Sequence, residues 1–353
     1  MTSAGAINSS SSDFELLYFQ ISQAGFGGNM RRREFIITIL GGIGWPLCAQ
    51  AQQRVKIPRV GVLWHAGSAQ EEAIYLSEFQ RGLSELGYVE GRTITLEHRF
   101  PNEEPDRFVS MAAELAALKV DVLVAVSRLS AIAAQRASSI PIVFVVVPDP
   151  VGTKLVGSLA RPGGNITGLT NIAVELSAKR LALFKDALPH LSRVALLVNA
   201  NDERGMHRYI DETRAAGNAL ALEVQPIGIR SVGDFEKAFD EIAERRCEGV
   251  ITVADGLFYQ GRVAAAQSAL ARRLPLMTIT REMLQAGALM SYGPDHQEIF
   301  RRSPIYIDKI LKGEKPAELP SSSRPSFSFF SISRLPRHLA WKSHQCCLRG
   351  PTK

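Results

Sequence analysis

The sequence predicts an α/β protein of two doubly wound, parallel-sheet lobes joined by a hinge. Three observations lead there. Continuous apolar runs such as Ile142-Val-Phe-Val-Val-Val147 alternate with amphipathic helical stretches, the pattern of parallel strands covered on both faces. The alternation supplies more strands than one sheet readily holds, in a 353-residue chain long enough for two domains. An irregular stretch, Ala160-Arg-Pro-Gly-Gly-Asn-Ile-Thr-Gly168, interrupts it near the middle.

The elements follow in order. Arg59 to Trp64 is a short apolar strand. Glu71 to Leu86 has helical spacing, with Ile74, Phe79, Leu83 and Leu86 predicted on one face and Gly87 as the stop. Thr93 to Phe100 alternates as a strand, and Pro105 to Leu118 is a helix with proline in its first turn. Val120 to Val126 is a buried strand, Ser130 to Ser138 a short helix, and Pro141 to Val147 a strand ended by Pro148-Asp149-Pro150. Beyond the break, helices at 175–188, 203–220, 232–246 and 260–273 alternate with strands at 193–198, 222–229, 249–254 and 275–279. A strand at 288–292 and a helix at 295–311 close the pattern. The first lobe is therefore placed at 57–165, completed by 290–319, and the second at 170–288. In such sheets ligands bind beyond the carboxyl ends of the strands, so two lobes face to face line one cleft, the geometry of a hinged binding protein.

Charge excludes a nucleic-acid footprint. The chain carries 41 Lys/Arg against 35 Asp/Glu, but the excess lies in the two tails and residues 57–319 are nearly neutral. From Met30 the chain reads as a secretory signal: Arg31, Arg32 and Arg33, an apolar stretch from Phe35 to Leu47, and a small-x-small cleavage site at Ala49-Gln50-Ala51. Arg32-Arg33-Glu34-Phe35 also resembles a twin-arginine signal. The expected mature chain begins at Gln52, is periplasmic and has no stable membrane insertion, since no later stretch is long and apolar enough to span a bilayer. Residues 1–29 read as a non-native extension from a misplaced upstream start.

Catalytic and cofactor fingerprints are missing: no G-x-G-x-x-G after a strand, no P-loop, no H-E-x-x-H, no G-x-S-x-G and no Cys/His set for zinc. No cofactor, metal or catalytic residue is expected. His65, His98, His190, His207 and His296 are scattered and read as surface or loop residues, and Cys247 as a half-buried helix residue. The strand ends are richer. They carry Ser68, Ser127, Asp149, Asn199, Asp255 and Tyr292, with Trp64, Phe258 and Tyr259 as aromatic neighbours. Small polar groups beside a helix start either cap it or hold a ligand, and aromatic walls with a few polar groups suit a small-molecule pocket. These nine residues are the candidate ligand-binding set.

Several segments then carry a family resemblance: Val60-Gly-Val-Leu-Trp64, Phe79-Gln-Arg-Gly-Leu-Ser-Glu-Leu-Gly-Tyr-Val-Glu-Gly-Arg92, Pro148-Asp-Pro-Val-Gly152, Leu159 to Gly168, and Leu289-Met-Ser-Tyr-Gly-Pro-Asp295. The stretch from Val60 to Pro316 resembles the ABC-transporter substrate-binding family whose best-known members are similar to tryptophan-type amino-acid binders. That resemblance implies a periplasmic-binding-protein type I fold, no catalysis, and a small polar solute handed to an ABC permease and its ATPase subunit. A LacI-like regulator would share the two-lobe sensor, but it needs a helix-turn-helix where this chain has a signal. An α/β enzyme would need a nucleophile–base pair that the sequence does not offer. Residues 320–353, serine-rich and without an acid, read as a frameshifted, disordered tail. One nucleotide restored at the codon of Pro320 would give a strand and an amphipathic helix resembling the family's usual ending.

Overall fold

The computed structural model describes residues 56–322 and 327–331; the expected extension at 1–29 and signal at 30–51 lie outside the described residues. Strands β1 (Arg59–Leu63), β2 (Thr95–Arg99), β3 (Val122–Val126), β4 (Ile142–Val147) and β5 (Ile166–Thr170) form one parallel sheet in the order β2-β1-β3-β4-β5. Its helices are α1 (Ala73–Glu85), α2 (Pro105–Ala117) and α3 (Arg128–Ala137). A second sheet contains β6 (Arg193–Asn199), β7 (Glu223–Ile229), β8 (Gly249–Thr252), β9 (Leu276–Thr278), β10 (Met290–Pro294) and β11 (Phe327–Ser331), in the order β11-β10-β9-β8-β6-β7. All of its pairings are parallel except β10 with β11. Helices α4 (Ser177–Ala187), α5 (Glu203–Ala219), α6 (Phe235–Glu244), α7 (Gly256–Gln260), α8 (Arg262–Ala271) and α9 (Arg281–Gln285) accompany it, and α10 (His296–Arg302) and α11 (Pro304–Leu311) return to the first lobe. The two-lobe α/β expectation therefore holds.

Period-2 alternation decides which side chains meet. On one face of the first sheet Val60, Val62, Val122, Val124, Val143 and Val145 pack with Phe79, Leu83, Ile299, Phe300 and Ile307; on the other, Leu63, Leu123, Ala125, Ile142 and Phe144 pack with Phe108, Ala112 and Leu115. Each fully buried aliphatic or Phe side chain is worth about 1.5–3 kcal/mol, which fixes register. The buried face of α1 is Tyr75, Phe79 and Leu83, while Ile74 and Leu86, expected inside, are 40% and 38% exposed. The cause is α10, which packs so closely that a β-carbon at Gly82 would strike the carbonyl of Arg301.

The lobe boundaries differ from expectation at both crossings. The segment taken as a break contains β5, which pairs with β4 and belongs to the first sheet, so the first lobe extends past 165. Conversely β10 pairs with β9 and lies in the second sheet, so only the chain from about 296 completes the first lobe. Cys247 is buried in the loop between α6 and β8 rather than in a helix.

Part of the expected disordered tail is paired. Ser322 lies parallel to Leu169 at the end of β5, with Ser322 N–H donating to the Gly168 carbonyl at 3.0 Å. Residues 327–331 then add an antiparallel strand to β10. The open backbone edge of β10 is a template that accepts any extended segment within reach. Residues 332–353 lie outside the described residues.

Candidate functional site

The carboxyl ends of both sheets face each other, and the backbone there is unusual. Asn102, Glu103, Ser127, Val146, Asp149 and Ile172, none of them glycine, have φ values of 62°, 55°, 85°, 54°, 42° and 42°. For the β-branched Val146 and Ile172 this is a genuine outlier, held by surrounding structure and characteristic of sites where strain serves position. At Val146 the cause is a register irregularity between Val145 and Val147. At Ser127 the left-handed turn leads directly into α3 and places Arg128 at the cleft.

Between the lobes lies a small cavity lined from both sides. Tyr75, Val146, Tyr259, Ile279, Met206, Met283 and Phe300 give it apolar walls, and His65, Ser127, Arg128, Asp202, Asp255, Thr280 and His296 its polar groups. Tyr75 stacks on Phe300 at 4.8 Å between centroids and tilts against Tyr259 at 5.1 Å. The first lobe supplies Tyr75 and Phe300, the second Tyr259, so the aromatic wall exists only where the lobes meet.

Polar contacts also cross the cleft. Arg128 Nη1 of α3 donates to Asp202 Oδ1 at the start of α5. Tyr75 Oη donates to Glu282 Oε2 at 3.1 Å, Gln260 Nε2 donates to Asn102 Oδ1 at 2.6 Å, and Arg208 pairs with Asp149 at 2.8 Å. The lobes are closed on one another.

Electrostatics concentrate at two places. His65 lies between Glu72, 2.9 Å from its Nε2, and Glu103, 3.1 Å from its Nδ1. Burial disfavours its charge, but the two carboxylates outweigh burial and hold its pKa well above the usual histidine value. The imidazole is charged at neutral pH, and two carboxylates share it. Asp255, the N-cap of α7, is pushed up to about 7 by burial and by the charges of Glu103 and Asp202. Asn199 Nδ2 and Leu257 N–H both donate to its Oδ1, at 2.8 and 3.0 Å. Burial also lowers Arg128 and raises Asp202, each opposed by the other's charge. His296, pushed down to about 4 by burial, is neutral.

The expected site residues are placed as follows. Ser127, Asp255 and Tyr259 line the cavity. Asn199 stands behind Asp255 and fixes its carboxylate. Trp64 is fully buried in the first lobe, donating from Nε1 to His98 Nδ1 at 2.9 Å and stacked on Phe300. Phe258 is fully buried against Phe235, and Tyr292 packs on the second lobe's core. Ser68 caps the turn into α1 through the Glu71 N–H, and Asp149 is engaged by Arg208 and Gly152 N–H. His65, which is buried, and His296, which is half-buried, are expected from the sequence as surface or loop residues but line the cavity, because the strand ends they follow face the other lobe. Arg128 and Asp202 went unnoticed beside Ser127 and Asn201; a helix-start arginine or aspartate looks like a surface charge until the opposite lobe covers it. No group of three potential metal-ligating side chains occurs among the described residues, nor any helix long and apolar enough to cross a membrane.

Three comparisons bear on this geometry. A curated tyrosine-binding protein of Clostridioides difficile is 23% identical over 244 residues, covering 69% of each chain. A conserved domain protein from Vibrio cholerae superposes with a TM-score of 0.71 at 24% identity, over 77% of this chain and 91% of that one. An ABC domain from Streptococcus pneumonia in complex with L-Trp superposes at 0.69 and 22% identity, over 75% and 88%. The model of the ABC transporter substrate binding protein family matches residues 69–333, and the chain belongs to that family. Its members work outside the cytoplasmic membrane beside an ABC permease, and neither a regulator nor an enzyme is favoured.

Proposed function

We propose that this family member captures a small amino-acid-like solute in the cleft between its lobes and presents it, unchanged, to a membrane permease and its ATPase subunit. The observation that carries the reading is the cavity itself: an aromatic wall and buried charges of both signs, drawn from both lobes and meeting only when they close. A neutral sugar would leave Arg128 and Asp255 without the charge complement they offer; an amino acid carries both signs and a side chain for the Tyr75–Tyr259–Phe300 wall. Tyrosine and L-Trp, named for two of the similar proteins, point the same way. Within the reading, Ser127, Asp255 and Tyr259 touch the solute, Asn199 positions Asp255, and export follows from the signal at 30–51, by the twin-arginine or the general route.

The test is a thermal-shift panel on the exported chain, freed of solute, with the twenty amino acids and a set of pentoses and hexoses. At a solute concentration a hundredfold above Kd, binding adds about 2.7 kcal/mol and a clear rise in Tm. A rise with aromatic amino acids and none with sugars supports the reading; a rise confined to sugars overturns it.

A further inference from the structure

Three buried polar atoms of the cavity wall have neither a hydrogen-bond nor an ion-pair partner within the protein: Arg128 Nε, Thr280 Oγ1 and His296 Nε2. Arg128 and Thr280 are 6% and 8% exposed, so bulk water does not serve them. A buried guanidinium N–H left unmade is costly, and its natural complement is a carboxylate. On the acidic side, both hydrogen bonds to Asp255 fall on Oδ1, while the residue itself lines the cavity. Asp202 lines it too, already giving one oxygen to Arg128 and to the Gly205 N–H.

We propose that Asp255, with Asp202 beside it, receives a protonated amine of the solute, while Arg128 Nε receives an acceptor group of the same molecule. This assignment deepens the amino-acid reading above and rests on it. The Arg128–Asp202 pair spans the cleft, so a zwitterion placed there meets opposite charges in the order it needs: carboxylate toward α3, ammonium toward the starts of α5 and α7.

The charges around Asp255 turn this into a proton-coupled event. Glu103 and His65 face it from the first lobe, Arg128 from α3, and Asp202 and Tyr209 from α5. With the lobes closed the Asp255 carboxyl is held near pH 7, so about half of it is protonated there. An ammonium docking on it stabilises the carboxylate and expels the proton. Below about pH 7 binding must release a proton, and affinity rises about tenfold from about pH 6 to about pH 8.

Calorimetric titration in buffers of different ionisation enthalpy, at about pH 6 and about pH 8, reads this directly. The probes are L-tyrosine, L-tryptophan and L-phenylalanine, the arylpropionates that lack the amine, and the arylethylamines that lack the carboxylate. The expected result is proton release with the amino acids at the lower pH only, and roughly ten- to a hundredfold weaker binding of the arylpropionates. The arylethylamines, weaker through loss of the Arg128 contact, keep the proton release. Asp255→Asn, which can still cap α7, loses both the release and the pH dependence while remaining cooperatively folded. Arylpropionates binding as tightly as the amino acids, or amino acids binding without proton exchange, overturn the assignment. A chain that takes arylethylamines with proton release but no amino acid overturns the amino-acid reading and leaves the amine site standing; a chain that binds no amine of the panel overturns both.

Discussion

Arg128 and Asp202 form a buried ion pair across the cleft, one from each lobe, although they are 74 positions apart in sequence. Taking two charges out of water costs nearly what their attraction returns, so such a pair contributes little net stability and much specificity. Here it specifies one closed arrangement, seconded by the Arg208–Asp149 pair at 2.8 Å.

Breaking the pair from one side should open the protein rather than unfold it. Asp202→Ala leaves the Arg128 guanidinium buried and unpaired, a penalty of about 3–5 kcal/mol that opening the cleft removes by hydrating it. Small-angle scattering should show a larger radius of gyration for this variant. Arg128→Met with Asp202→Asn, which leaves no orphaned charge and keeps a residue able to cap α5, should stay close to the parent. Equal radii for all three would show that the pair does not hold the lobes.

Gly256 controls closure by lacking a side chain. A β-carbon there would run into Glu103 Oε1 and lie 2.7 Å from His65 Nδ1, both on the opposite lobe. Within its own lobe Gly256→Ala is harmless, so Tm should fall little. Solute affinity should drop at least about tenfold, since 1.4 kcal/mol of closure energy suffices for that. Unchanged affinity would mean that His65 and Glu103 retreat without cost.

The pH dependence of stability has a definite sign. Asp255 folds with a pKa of about 7, above its unfolded value, and His65 with one well above its usual value. For a raised pKa, the stabilising contribution is complete below the unfolded value and lost as pH rises through the folded one. Asp255 therefore lowers stability between about pH 4 and 7, and His65 does so above about pH 6.5. The Tm of the solute-free protein should decline from about pH 5 into the alkaline range. Asp255→Asn should flatten the first part of the curve and His65→Gln the second. A Tm that climbs steadily from about pH 5 to 9 would contradict both assignments.

Much of the architecture was legible because burial on both faces leaves a continuous apolar run in each strand, as in Ile142 to Val147. β5 escaped because Ile-Thr-Gly-Leu-Thr is short and carries glycine, and β11 because its pairing depends on the free edge of β10 rather than on a pattern of its own. The position of the cavity was legible, but most of its lining was not. Asp255 and Ser127 follow strands, and strand ends point at the cleft. Yet Arg128 and Asp202 meet only across the cleft, and no local pattern encodes which charges two lobes will bring together.

Trp64 separates a core role from a ligand role. It follows β1 at the cleft end, which made it a candidate wall, but it is fully buried, stacked with Phe100 at 6.1 Å and with Phe300 at 5.8 Å. Phe300 and not Trp64 reaches the cavity. Trp64→Phe removes the indole N–H donated to His98 and leaves part of the indole volume empty, so stability should fall by about 1–3 kcal/mol. Phe300→Leu should instead weaken solute binding, because it takes away the ring against which Tyr75 is stacked at 4.8 Å. Denaturant titration gives the first quantity and calorimetry the second. If Trp64→Phe left stability intact and reduced affinity severalfold, the indole would belong to the binding surface, and the wall formed by Tyr75, Tyr259 and Phe300 would have to be redrawn around it.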